Sequence, residues 1–320
     1  MSLLREEPDF QDAIEAAANR VGLAAVFVEK DYWVTQVLRA LADAYPGAFT
    51  FKGGTSLSKG YSLIERFSED VDILVQPMRG DSAAVRERRL AAMSASVATA
   101  LGLEQLEARA PGRGKHPHRA DVFSYPKIVS GAINIAAEGR GVLLETGFAG
   151  GEWPCEMVTI EPLLCTVLEL DPTEHADTAP FELRALKPVR TLIEKLALMH
   201  HLASRWPDSS DQRCGRHYYD IERLLTHAPT RQALKDRDEF DRILGQMQEI
   251  AAAHYGGWTA RPPAGFADSP AFSPPRDSEL RRWLEGRYNN AAELLPANAN
   301  ANWPTFGRVL KAVADSSTLL

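Results

Sequence analysis

Asp70-Val71-Asp72-Ile73-Leu74-Val75 is the stretch whose reading decides the fold. Two carboxylates one residue apart inside an apolar run fit a β-strand, where side chains at i and i+2 share a face. The strand repeat then sets the two acids roughly 7 Å apart. Like charges so placed repel unless a cation lies between them, and magnesium is the usual cation where phosphate is also handled. Lys52-Gly53-Gly54-Thr55-Ser56, just upstream, offers a place for that phosphate. A helix starting at Gly-Gly presents unpaired backbone N–H groups and a positive dipole end, and glycine lets a ligand approach the backbone closely.

Working outward, Phe49 to Phe51 suit a short strand that Gly53-Gly54 breaks, and Thr55 or Ser56 is placed to cap a helix through Leu57, Leu63 and Ile64. Upstream, residues 10–20 and 29–44 read as helices; in the second, Val34, Val37, Leu38 and Leu41 form a buried stripe that Pro46-Gly47 ends. Residues 82–101 read as a helix closed by Gly102. Between 103 and 170 the pattern predicts strands at 121–125, 128–136, 141–146 and 157–170, the last broken at Pro162. From Pro188 helical periodicity takes over, at 188–204, 217–227, 231–254 and 278–292, with a last helix after Pro304. Residues 256–275 read as a long loop and 297–302 as a surface turn. The fold class expected is α/β (α+β): a mixed sheet with flanking helices, residues 1–185, followed by a helical C-terminal domain, residues 186–320.

The chain has 320 residues, 45% hydrophobic and 25% charged, which is ordinary globular composition. No apolar run approaches the roughly 20 residues of a membrane span, and MSLLREEPDF turns acidic too soon for a secretory signal; the reading is a cytoplasmic chain with no membrane contact. Cys155, Cys165 and Cys214 are too few and too irregular for a disulfide framework or a zinc site. A net charge of −7 argues against binding nucleic acid through overall basicity but leaves room for a local basic groove. Two clusters are candidates: Arg86, Arg88 and Arg89, and a Gly- and Pro-rich loop carrying Arg109, Arg113, Lys115, His116, His118 and Arg119. Solvated surface is the simpler reading of the first.

Neither a Walker GxxxxGK[ST] loop nor a Rossmann GxGxxG is present. Taken alone, Asp-x-Asp fits a calcium or structural site, or two surface acids, as well as a catalytic metal. A metal–phosphate site needs further carboxylate, and Glu145, closing the Val142-Leu143-Leu144 run, is the best candidate; it also fits a solvent-facing strand end. Lys195 lies at the margin of an apolar stripe, where a lysine either snorkels or meets an anion. Asp220 stands one helical turn after Arg216, so an ion pair between them is a sufficient structural account. Lys52, Lys59 and Arg66 are near enough in sequence to meet phosphate and equally suited to the surface. Tyr218 and Tyr219 fit core packing or a stacked base.

Phe51 to Ser56 (FKGGTS) followed by Phe67 to Leu74 (FSEDVDIL) resembles the signature of polymerase-β-type nucleotidyltransferases, and more narrowly that of the AbiEii-like toxins, including the MenT toxins of mycobacteria. The resemblance extends to Glu29-Lys30-Asp31-Tyr32, Glu194-Lys195-Leu196 and Arg216-His217-Tyr218-Tyr219-Asp220, and so touches residues 29–224 in order. Fifteen residues separate Gly54 from Asp70, more than in the commonest superfamily pattern, and Arg66-Phe67-Ser68 fills the extra length. The resemblance implies that Asp70 and Asp72 hold Mg²⁺; that Gly54, Thr55 and Ser56 hold the β- and γ-phosphates of an NTP, with the Ser68 hydroxyl beside Asp70; that Lys195 contacts the triphosphate or the transition state; and that Asp220 is a catalytic or organising carboxylate, while Glu145 as a third metal ligand and Gly53 and Lys59 as phosphate contacts rest on the reading of the residues themselves. The implied activity is transfer of a nucleoside monophosphate to an RNA acceptor, the tRNA 3′ end, which blocks translation and growth until a cognate antitoxin restrains the enzyme. Modification of a protein hydroxyl, or a non-catalytic module that binds nucleotide or antitoxin, are the alternatives.

Overall fold

Val71, Ile73 and Val75 enter one hydrophobic core while Asp70 and Asp72 leave the strand on its other side, and this alternation organises the first half of the molecule. The computed structural model describes residues 1–66, 68, 70–112, 117–131, 141–208, 211, 213–254, 259–294 and 303–320. They form two units, Met1–Leu186 and the described residues from Lys187 onward.

In the first unit, α1 (Phe10–Val21) and α2 (Ala25–Ala44) precede β1 (Phe49–Lys52), a three-residue helix α3 (Gly53–Thr55) and a wider π turn at Ser56–Gly60. Then come β2 (Asp70–Val75), α4 (Ala83–Leu101), β3 (Glu104–Gly112), β4 (His118–Ser124), β5 (Gly141–Gly147), β6 (Cys155–Ile160), α5 (Leu163–Leu168) and β7 (Phe181–Leu186). The strands form one mixed sheet in the order β3-β4-β5-β2-β1-β7-β6. β2 runs parallel to β5 and antiparallel to β1, which is parallel to β7. Phe51, Ile73 and Leu144 on the sheet pack with Val37 and Leu41 of α2 and Met93 and Val97 of α4. Each large side chain so buried contributes about 1.5–3 kcal/mol. α4 is fixed at both ends: the Ser82 hydroxyl accepts from Val85 N–H, and Gly102 takes the left-handed conformation that closes the helix.

α2 is buried nearly all round, so its polar side chains need partners. Glu29 accepts from the Ile128 N–H at 2.7 Å, Tyr32 donates to Asp177, and Gln36 donates to the Asp177 carbonyl at 3.0 Å. Glu29 and Tyr32, read from sequence as part of a family motif, therefore tie α2 to loops of the scaffold.

The second unit is helical: α6 (Pro188–Ser204), α7 (Gly215–Thr226), α8 (Ala228–Ala233), α9 (Arg237–His254), α10 (Glu279–Asn290) and α11 (Phe306–Asp315). Pro188 opens α6, where its missing N–H costs nothing, and Ser278 and Thr305 cap α10 and α11. Tyr218 and Tyr219 belong to its core. Tyr218 meets Phe306 edge to face at 5.0 Å and donates to the Ala271 carbonyl, while Tyr219 stacks on Trp303 at 4.6 Å.

Several local readings change. The helix expected through Leu57, Leu63 and Ile64 is replaced by α3 and the π turn, and neither Thr55 nor Ser56 caps it: Thr55 donates to the Asp70 carbonyl and Ser56 to the Gly53 carbonyl. The strand expected at 157–170 divides into β6 and a helix, α5, because Pro162 ends the ladder and opens a helical turn. Of the strand expected at 128–136, residues 128–131 are irregular and the rest lie outside the described residues. The basic loop is in part a hairpin, with Arg109 on β3 and His118 and Arg119 on β4, while Arg113, Lys115 and His116 lie outside the described residues, as does the turn at 297–302. Strands β3 and β7 were not foreseen, although Phe181, Leu183 and Ala185 alternate with Glu182 and Arg184 as a half-buried strand should.

Candidate active site

The register of the sheet assembles the acids. Asp72 is the direct neighbour of Glu145 on β5 and of Lys52 on β1, so the row across the sheet reads Lys52, Asp72, Glu145 on one face. Asp70 is two residues before Asp72 and shares that face. Pairing and side-chain convergence bring one carboxylate oxygen from each of Asp70, Asp72 and Glu145 within 4.8 Å of one another, closer than the strand repeat alone suggests. The cluster raises the proton affinity of its central member. Lost hydration, with the charges of Asp70 and Glu145, pushes the Asp72 carboxyl up to about 7 against the opposing pull of Lys52.

Gly53 and Gly54 serve this cluster directly. Gly53 sits at φ +78°, and a Cβ there would run into the Asp72 carboxylate. A Cβ on Gly54 would come 2.7 Å from Arg66 Nη2 and 2.8 Å from Ser68 Oγ. The first groups to occupy the space that glycine opens are thus Asp72, Arg66 and Ser68. Thr55 lies below, hydrogen-bonded to Ser68 Oγ at 2.9 Å, and Ser68 Oγ stands 3.3 Å from Asp70 Oδ1. Thr55 and Ser68 are buried, so their hydroxyls hold the Asp70 end of β2 in place.

Lys59 has a partner that the sequence did not suggest: its ammonium lies 2.6 Å from Asp31 Oδ1 of α2, with 6% of the lysine side chain exposed. Arg66, which suited the surface equally well in sequence, is 2% exposed beside Gly54. Three members of the basic clusters have partners in the fold: Arg119 makes a forked pair with buried Asp121, Arg89 binds Asp81 and the Gln76 carbonyl, and Arg86 lies over the Phe148 ring.

In the helical unit, Lys195 of α6 and Asp220 of α7 form a buried ion pair, Nζ to Oδ2 2.8 Å, and the same ammonium donates to His217 Nδ1 at 3.2 Å. Lys195 therefore neither snorkels nor faces solvent, and Asp220 takes a partner on another helix. His217 was not singled out from sequence; its i, i+3 relation to Asp220 on a helix was the available signal.

Three acids converging on one sheet face next to a Gly-Gly turn supply the kind of oxygen donor set that a divalent cation takes. The family model for the nucleotidyl transferase AbiEii toxin of type IV toxin–antitoxin systems matches residues 36–311, and the chain belongs to that family. It is accordingly a nucleotidyltransferase, and the toxin–antitoxin setting implies a nucleotide substrate and an antitoxin partner. Among solved structures it is similar to MenT4, a nucleotidyltransferase toxin from Mycobacterium tuberculosis H37Rv, with TM-score 0.49 and 17% identity over 94% of this chain and 98% of that one. No curated protein matches the chain. Among the described residues no helix is long and apolar enough to cross a membrane.

Proposed function

We propose that the chain transfers a nucleoside monophosphate from an NTP to a hydroxyl of RNA, at the 3′ end of tRNA, using Mg²⁺ held by Asp70, Asp72 and Glu145, and that this blocks translation in the cytoplasm. The observation that carries the reading is the convergence of the three carboxylates within 4.8 Å. Octahedral magnesium, with oxygens at about 2.0–2.1 Å, needs ligands separated by roughly 3–4.2 Å, so the three side chains would draw together to hold it. The elevated Asp72 pKa supports it as well, since a cation relieves the repulsion that burial imposes on the three acids.

Magnesium there would neutralise triphosphate charge and polarise the phosphoryl oxygens. The acceptor hydroxyl attacks the α-phosphorus in line, the α–β bridging bond breaks and pyrophosphate leaves. The hydroxyl proton passes to a carboxylate, Glu145 or one of the aspartates. Gly53, Gly54 and Ser56 are the proposed phosphate contacts, with Thr55 and Ser68 holding Asp70 beside them.

Sequencing of tRNA 3′ ends after expression of the chain tests the acceptor: extended ends are expected, and unaltered ends with label entering protein would favour modification of a protein hydroxyl instead.

A further inference from the structure

We infer that Asp31 is a positioning residue for nucleotide binding, acting through Lys59 on the segment that carries Gly53-Gly54-Thr55-Ser56; this rests on the proposed reading of that segment as the phosphate site. The polar turn Glu29-Lys30-Asp31-Tyr32 stands within a helix that is buried nearly all round. Glu29 and Tyr32 hold Ile128 and Asp177. Asp31 differs in its targets. One oxygen takes the Lys59 ammonium at 2.6 Å, and the other accepts from the Leu163 N–H at the start of α5 at 2.7 Å.

Lys59 lies in the last turn of the helical stretch 53–60, and Gly60 closes it so tightly against β6 that a Cβ would approach Val158 Cγ2 to 3.0 Å. The other end is fixed by Gly53, packed on Asp72. The stretch is therefore held by the acidic cluster at one end, by Thr55 on the Asp70 carbonyl and Ser68 within it, and by Asp31 at the other end. Its last part widens into a π turn, a rare single-turn geometry frequent at functional sites, and Lys59 stands in that turn. Both charges are largely removed from water, with side-chain exposures of 6% for Lys59 and 17% for Asp31, so the pair is screened little and its geometry is firm. Leu163 secures the acid in turn, which leaves Lys59 as the member that moves when the pair is broken.

The test compares Asp31→Asn, Lys59→Gln and the double variant with wild type, in full-length protein. Asn keeps the shape and an acceptor for Leu163 but removes the charge that holds Lys59. Hydrogen exchange of the 53–60 amides is expected to accelerate about tenfold in each variant without added ligand. KM for the NTP that wild type uses best is expected to rise about tenfold with kcat changed less than about threefold, since displacement of a binding segment weakens ground-state capture. The double variant should be no worse than either single one, because the two residues act through one contact. Unchanged exchange at 53–60 would overturn the inference whether or not transfer is seen, and so would a lowered melting temperature with KM unaltered, or additive effects. Failure of the proposed function is recognised separately, by wild type transferring no nucleotide while the exchange comparison still reads out the coupling.

Discussion

Asp72 and Glu145 are register partners on adjacent parallel strands, and this pairing turns an i, i+2 aspartate motif into a three-carboxylate site. Residues separated by more than seventy positions share a row because β2 and β5 pair directly, and in a parallel pair one register fixes every neighbour along the strand.

Substituting Glu145→Gln is expected to weaken Mn²⁺ or Mg²⁺ binding by at least tenfold, with secondary structure intact by circular dichroism. Titration calorimetry reads the affinity. Unchanged affinity would remove Glu145 from the ligand set.

The elevated Asp72 pKa predicts a pH dependence of definite sign. An acid whose folded pKa is about 7, against 3.8 when unfolded, binds its proton more tightly in the fold. Its contribution is therefore present at low pH and lost as pH rises from about 4 to about 7. In EDTA, Asp72→Asn should match wild type near pH 4 and exceed it at pH 8, by on the order of 1–3 kcal/mol in denaturant midpoints after correction for partial exposure. Wild type more stable than the variant at pH 8 without metal would contradict the cluster's electrostatics.

Gly53→Ala combines a disfavoured backbone conformation with a methyl group against the Asp72 carboxylate. A loss of about 1–3 kcal/mol is expected, together with weakened cation binding as Asp72 is displaced. Gly47, also at positive φ but with open space around it, serves as the comparison: Gly47→Ala should cost backbone strain alone and leave cation binding unchanged.

Lys195→Met leaves Asp220 buried without its ammonium partner, which should cost about 3–5 kcal/mol. Lys195→Met with Asp220→Asn removes both charges and should be more stable than either single variant. A denaturant double-mutant cycle measures the coupling, and near-zero coupling would mean that the pair does not hold α6 against α7.

What was legible in the sequence follows from how local each signal is. Strand β2 announces itself by alternation, and α4 and α6 by periodicity and by Gly102 and Pro188 at their ends. The partnership of Glu145 with Asp72 needed a strand pairing that no local pattern specifies. Proximity of Lys59 in sequence to Gly-Gly suggested phosphate, and its pairing with Asp31 on α2, reached through the π turn, had no local signal. The two glycines looked like room for a ligand, and the structure fills that room first with Asp72, Arg66 and Ser68. Tyr218 and Tyr219, which fitted either a stacked base or the core, were decided by tertiary packing alone.

His200 gives the helical unit a pH dependence of its own. It is hydrogen-bonded to Ser269 and to the Ala260 carbonyl, and burial lowers its pKa below 6.5. A base with a depressed folded pKa contributes stability above its unfolded pKa and loses it as pH falls from about 6.5 through the folded value. His200→Gln should flatten the fall in melting temperature between pH 6.5 and 5; an unchanged profile would assign that fall to other groups.

The central claim, nucleotide transfer at the Asp70–Asp72–Glu145 cluster, is tested most directly by incubating purified chain with Mg²⁺, α-labelled NTPs and total tRNA, beside Asp72→Ala. The account predicts label at the RNA 3′ end with wild type, abolished by EDTA and reduced at least a hundredfold in the variant; no label with wild type, or equal label with Asp72→Ala, would contradict it.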